Sequence, residues 1–300
     1  MDRKKNRLQI WVEYLLALAL LQTLRWLPLP LSNATARAAM RLFDRTAPRL
    51  RRVALKNLSF ALPALASSEH ARLVDGVFKT IARMLVALAR FPALNRDNIS
   101  EWIAYEGLEN YAAAKQQGRG VLVATAHLGN WELSAFAHAL MTEPMHVMVR
   151  PLDNPLIDRL VETRRTLSGN HLIDKRDAAR SVIKALRSNE AVGILIDQNT
   201  SPSEGVFVDF FGKLACAGSG FIKLAHHSQA PVIPGFALWD AAKKRYVLRF
   251  YPPVDMTGDL HADTQRLHSA IEDVIRQYPD QWMWIHRRWK TRPPGEPPLY

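Results

Sequence analysis

Cysteine is almost missing from this chain. Cys216 stands alone among 300 residues, which excludes an internal disulfide and a cysteine-based zinc site and fits a reducing compartment. With no partner nearby in sequence to mark it as a nucleophile, Cys216 reads as a small buried hydrophobe. Common catalytic signatures are absent too: no G-x-S-x-G elbow, no H-E-x-x-H pair, no Walker loop and no dinucleotide-binding glycine pattern. Negative charge is scarce, with 28 Asp and Glu against 40 Lys and Arg, and the surplus of +12 points to an anionic partner. Long apolar runs are lacking as well. The charge-free core from Tyr14 to Leu24 is eleven residues, about 17 Å as a helix against roughly 30 Å of hydrocarbon.

What is present suits a folded chain with a basic front end. A content of 48% hydrophobic and 23% charged residues fits one large α/β domain, alone or with a small appendage. Residues 1 to 60 carry twelve Lys and Arg against Asp2, Glu13 and Asp44, so most of the surplus charge lies there. A basic head, Met1 to Arg7, runs into an apolar segment from Leu8 to about Leu31, with Trp11, Tyr14 and Trp26 where interfacial aromatics sit. Residues 1–33 therefore read as a head and a tilted or half-inserted membrane anchor, and 34–300 as the main domain. A cleaved signal peptide ending near Ala34-Thr35-Ala36 is the rival reading. Arg25, Pro28 and Pro30 separate the apolar core too far from that site to favour it. Beyond the prolines, Arg37, Arg41, Arg45, Arg49, Arg52 and Lys56 fall on one helical face, bent near Pro48. That face either lies on anionic lipid or is a solvated basic surface.

The rest alternates between two periods. Helices are predicted over Ser68 to Arg90, Leu108 to Gln117, Asn130 to Leu140, Pro155 to Leu167, Arg176 to Arg187, Ser219 to His227 and Ala262 to Gln277. Strands are predicted over Glu101 to Tyr105, Val121 to Thr125, His146 to Val149, Ala191 to Ile196, Pro231 to Leu238 and Tyr246 to Tyr251. The stretch from Gly205 to Gly212 is too aromatic for an ordinary loop. The fold class expected is α/β: a central mostly parallel or mixed sheet flanked by helices, with an N-terminal anchoring helix.

Chemistry is expected where the strand Val121 to Thr125 ends. His127 sits at the strand's exit, and Glu132 lies in the first turns of the next helix, where a short turn brings its carboxylate back to the imidazole. A carboxylate on one ring nitrogen fixes the tautomer and leaves the other to take a proton from a hydroxyl. A His near a Glu is also a common surface pair. Its position after an apolar strand, where open α/β sheets bind ligands, favours the catalytic reading.

His127 through Glu132 resembles the HX4D/E motif of the glycerolipid and lysophospholipid acyltransferase superfamily, in the Glu-ending form of the lipid A biosynthesis acyltransferases. Arg51 to Leu58 with Phe60 to Pro63, Asp153 to Gly169, Asp197-Gln198 with Phe207 to Phe211, and Gln281 to Pro293 are similar to further blocks of that family. A Pro-Glu-Gly-Thr-Arg block, the mark of the glycerol-phosphate branch, is absent.

The resemblance implies His127 as general base, Glu132 as its orienting partner, and no acyl-enzyme. It further implies Arg165, with Arg164 in reserve, and Asp197 at the charge-handling part of the site, where two exposed helix arginines are the plainer alternative. Substrate contact is expected from Asn130, Arg150, Gln198, Phe210, Phe211 and Gly212. Ala217 to Gly220 offers backbone N–H groups to an anion or merely close packing. Trp282, Trp284 and Trp289, interleaved with Arg287, Arg288 and Lys290, suit a membrane interface or a phosphosugar.

The implied partners are acyl carrier protein or acyl-CoA as donor, a lipid A precursor as acceptor, and the bacterial inner membrane with the site facing the cytoplasm. No metal, no cofactor and no nucleic acid are expected. The rivals are another glycolipid or phospholipid acceptor, and a non-enzymatic basic protein that binds membrane or nucleic acid.

Overall fold

The computed structural model describes residues 6–174 and 178–300; the basic head up to residue 5 and the start of the helix predicted from Arg176 lie outside them. Four helices lead the chain: α1 (Arg7–Trp26), α2 (Leu29–Thr46), α3 (Pro48–Ala61) and α4 (Ser67–Arg90). Pro30 and Pro48 sit at the starts of α2 and α3, where a missing N–H costs nothing, and Ala47 leaves helical geometry between them. The bend expected near Pro48 is thus a break. Leu21, Leu24 and Ala36 bury against Ala82, Val86 and Ala89 of α4. The first half of α1 is bare by contrast: Leu8, Trp11, Val12, Leu15 and Leu16 are exposed. Among the described residues, no helix is long and apolar enough to cross a membrane.

A seven-stranded sheet follows. In chain order the elements are β1 (Ile103–Glu106), α5 (Leu108–Lys115), β2 (Val121–Thr125), α6 (Trp131–Met141), β3 (His146–Val149), α7 (Pro155–Thr166), β4 (His171–Asp174) and α8 (Ala178–Arg187). Then come β5 (Ala191–Leu195), β6 (Gly205–Phe210), β7 (Lys213–Gly218), α9 (Gly220–Ser228), β8 (Val232–Asp240), β9 (Arg245–Phe250) and α10 (Leu260–Gln277). The sheet order is β1-β9-β8-β2-β5-β3-β4, parallel throughout except for the β8–β9 pair, so the sheet is mixed. Side chains of β2 and β5 alternate between two cores. Leu122, Ala124, Val192 and Ile194 join the core beneath α8, α9 and α10, whereas Val121, Val123 and Ala191 join the one beneath α5 and α6.

The aromatic stretch after residue 205 is a hairpin. β6 and β7 pair antiparallel, and Phe211 and Gly212 turn the corner with φ of 58° and 71°. Such a two-residue loop with both φ positive matches the twist of its strands. Phe210 and Phe211 are buried against Trp282, and so belong to the core instead of the expected substrate surface; Gly212 is the turn itself.

The tail needs a similar correction. Trp282, Trp284 and Trp289 are 1%, 0% and 0% exposed, so they meet neither membrane nor ligand. Each fully buried apolar side chain is worth roughly 1.5–3 kcal/mol, and this aromatic cluster closes the core. Arg288 is buried with them, its Nη1 donating to Cys216 O at 2.6 Å and its guanidinium over the Phe210 ring, and burial pulls its pKa down to about 10.

Candidate active site

The loop after β2 is held from two sides. Gly129 N donates to Gln281 O at 3.0 Å, Asn130 N to Ala237 O at 2.8 Å, and Met283 N to His127 O at 3.0 Å. Gly129 has φ 66°, and a Cβ there would collide with the Ala237 carbonyl, so only glycine passes this close to β8. Asn130 caps α6 by accepting from Leu133 N and is fully buried off the cavity wall. Its expected substrate contact is therefore a structural cap.

Parallel register decides the partner of His127. Thr125 stands opposite Leu195, so His127 and Asp197, each two residues further on, face one another. Asp197 Oδ1 lies 2.8 Å from His127 Nδ1, and its Oδ2 takes His127 N–H at 2.9 Å and the Trp282 indole N–H at 2.7 Å. Burial alone would raise the Asp197 pKa, but the charge and hydrogen bond of His127, with the Trp282 bond, hold it well below the usual carboxylate range. Burial alone would lower His127, yet the charges of Asp197 and Glu132 outweigh it and move the imidazole above its ordinary 6.5.

Glu132 does not orient that ring. Its carboxylate lies on α6 and takes the guanidinium fork of Arg165 on α7, at 2.8 Å to Nε and 2.6 Å to Nη2. Hence the orienting role expected of Glu132 belongs geometrically to Asp197, while Glu132 acts on His127 through its charge. A carboxylate bonded to the imidazole is likewise no ligand for phosphate or oxyanion, the group in which Asp197 was expected. Arg165 gains from the pair: burial would lower its pKa, and Glu132 raises it overall. Arg164, the reserve candidate, points elsewhere. It is 5% exposed, donates to Leu160 O at 3.3 Å and is absent from the cavity wall.

His127, Glu132, Arg165, Arg150 and Gln198 all border one cavity of about 1730 Å³ at the carboxyl ends of the strands. Gln198 Nε2 lies 3.2 Å from His127 Nε2, and the Trp131 ring stands edge-on to the imidazole at 4.9 Å. With Nδ1–H on Asp197, Nε2 is left with a lone pair at the cavity wall. Sequence reasoning missed Trp131 and gave Trp282 a role at an interface instead of on Asp197. It also missed the Asp197 contact: the strand predicted to end at Ile196 ends at Leu195, and only the observed register gives His127 and Asp197 equal offsets.

The model of the bacterial lipid A biosynthesis acyltransferase family matches residues 1–291. The chain is 31% identical over 248 residues to the lipid A biosynthesis lauroyltransferase of Escherichia coli (strain K12), covering 82% of this chain and 80% of the relative. It is 27% identical to the lipid A biosynthesis myristoyltransferase of the same organism, covering 82% and 77%, and 26% identical to a lipid A biosynthesis acyltransferase of Haemophilus influenzae, covering 80% and 76%.

Proposed function

The chain belongs to the bacterial lipid A biosynthesis acyltransferase family, and from that premise we propose that it moves a fatty acyl chain from acyl carrier protein, or from CoA, to a hydroxyl of a lipid A precursor. His127 is the general base. Asp197 keeps its Nδ1 protonated, so an acceptor hydroxyl that displaces Gln198 from Nε2 loses its proton there as the oxygen bonds to the thioester carbonyl carbon. The C–S bond then breaks, the electron pair leaves on sulfur, and the imidazolium returns the proton to the thiolate. No bond to the protein forms. Cys216 is fully buried with its sulfur toward Ser201 O, which removes the one thiol from consideration. Arg165, steadied by Glu132, keeps Nη1 for the negative charge on the carbonyl oxygen or a substrate phosphate.

Membrane association rests on the surface of the N-terminal helices. The exposed apolar side chains of α1, with Leu42 and Phe43 of α2, adjoin the exposed Arg37, Arg41 and Arg45, a combination that suits anionic lipid. Residues 1–33 act as the anchor in this reading, and the site faces the cytoplasm at the inner membrane. The observation that carries the whole is an imidazole with one nitrogen fixed by a buried carboxylate and the other bordering a cavity. Incubation with labelled acyl carrier protein and a tetra-acyl lipid A precursor tests it: the product must gain one acyl mass. Label found on the protein, or no heavier lipid, rejects the mechanism or the reading respectively.

A further inference from the structure

β3 is an interior strand, paired in parallel with β5 and β4, yet all four of its residues are half-exposed. Interior parallel strands are ordinarily covered on both faces. Here both faces are hollow. Val147 packs toward the α6 core and Met148 toward the α8–α9 core, and both border the cavity. Gly193 and Ile194 of β5 repeat the alternation. The cavity thus has two limbs, one on each face of the sheet, with His127 on its wall. Its volume of about 1730 Å³ exceeds the roughly 300–1,000 Å³ of an ordinary small-molecule site.

The limbs differ in wall and rim. One, under α6, is bounded by Val123, Phe136, Met145 and Val147; a Cβ on Gly193 would come within 2.8 Å of Met145 Cε, so the missing side chain leaves room for the methionine tip on this wall. The other runs between α8 and α9 over Ile183, Ile194 and Leu224 for about 14 Å, the rise from Ala179 to Ser188. Arg180, Lys184, Arg187 and Lys223 edge that second limb, and none of these side chains is bonded or ion-paired to another described residue. The bare apolar half of α1 lies on the far side of the sheet, since α1 packs on α4 and α7, and α7 on α6.

We propose that the two faces of β3 seat two alkyl chains at once: the α8–α9 limb takes the acyl chain of a water-borne anionic thioester, and the α6 limb takes a chain of the lipid acceptor. This rests on the acyl-transfer reading and adds to it the path of each substrate. The four exposed cations edge the α8–α9 limb and attract an anionic donor, and the α6 limb lies on the face of the sheet on which α7 and α1 pack.

Steady-state kinetics of the full chain with dodecanoyl-acyl carrier protein and a tetra-acyl lipid A precursor separate the limbs. Ile183→Trp should raise the donor KM about tenfold more than the acceptor KM, and Val147→Trp should do the reverse. Ile183→Phe and Val147→Phe, milder fillings, serve if either tryptophan variant loses its thermal transition. Both fillings raising the same KM, or neither raising any, overturns the assignment. A Lys184→Glu, Arg187→Glu variant should raise the donor KM by about tenfold or more. A rise shared with dodecanoyl-CoA assigns the anion to the phosphorylated arm common to both donors; a rise with the carrier alone assigns it to the protein surface. No rise with either donor overturns the anionic limb. A wild-type protein that transfers from neither donor rejects instead the acyl-transfer reading beneath it.

Discussion

Trp282 donates its indole N–H to Asp197 Oδ2 at 2.7 Å, while the other oxygen of that carboxylate meets His127 Nδ1 at 2.8 Å. A side chain from the far end of the sequence therefore fixes the carboxylate that holds His127. Trp282 is also paired with Leu128 in an isolated bridge, so backbone and side chain of the tail grip the same loop.

Loss of the base is the first consequence to measure. His127→Ala should lower kcat/KM about 10²- to 10⁴-fold, or roughly 3–5 kcal/mol of barrier, with an unchanged circular dichroism spectrum. Transfer at the wild-type rate by the folded variant would remove His127 from the mechanism.

The pH profile reports the same residue. Because the charges around His127 raise its pKa above 6.5, the base is protonated and idle at low pH, and kcat/KM should climb through a midpoint above that value. Asp197→Asn removes the nearest of those charges, so the midpoint should move down while kcat falls about 10²- to 10⁴-fold from the lost tautomer. Stability runs the other way. A raised histidine pKa stabilises the fold fully below 6.5, and that contribution fades as pH rises through the folded value. A midpoint that stays put in Asp197→Asn would contradict the pairing.

The Glu132–Arg165 fork should behave as one unit. Glu132→Gln and Arg165→Lys each lose bidentate geometry, and the double variant should be less damaged than the sum by roughly 0.5–3 kcal/mol. Additive losses in kcat/KM would mean that the two side chains act separately.

Gly129→Ala probes the loop. Its φ of 66° and the Ala237 carbonyl leave no room for a methyl group, so strain of roughly 1–3 kcal/mol or more should lower Tm and shift His127. A variant with wild-type Tm and rate would show that the loop yields freely.

Membrane contact is checked by flotation with anionic phospholipid vesicles. Trp11→Asp with Leu15→Asp should release the protein from them, and added salt should weaken but not abolish flotation of the wild type. Equal flotation of both proteins would place the contact elsewhere.

Much of the architecture was legible because the relevant signals are local. The apolar run Val121 to Thr125, the Asn130 cap and the amphipathic Ser67–Arg90 segment declare themselves within one element. β4 was not foreseen: four residues starting with an exposed histidine at the sheet edge show too little alternation to register. β7 was missed for lack of an obvious turn, since Phe211 adopts a positive φ that its side chain does not advertise. The tail misled for a different reason. Tryptophans among arginines look like an interface until Asn57, on α3, donates to Trp284 O and His286 O at 2.7 and 2.8 Å and folds them inward. The partner of His127 depended on strand register, which one strand's sequence does not encode.

The clamp from the tail also sets an order of events in synthesis. Asp197 leaves the ribosome 85 residues ahead of Trp282, and the bond from Met283 to the His127 carbonyl comes later still. A growing polypeptide thus carries His127 and Asp197 without the indole brace over those 85 residues of synthesis, and the pair is fully held only when the tail docks.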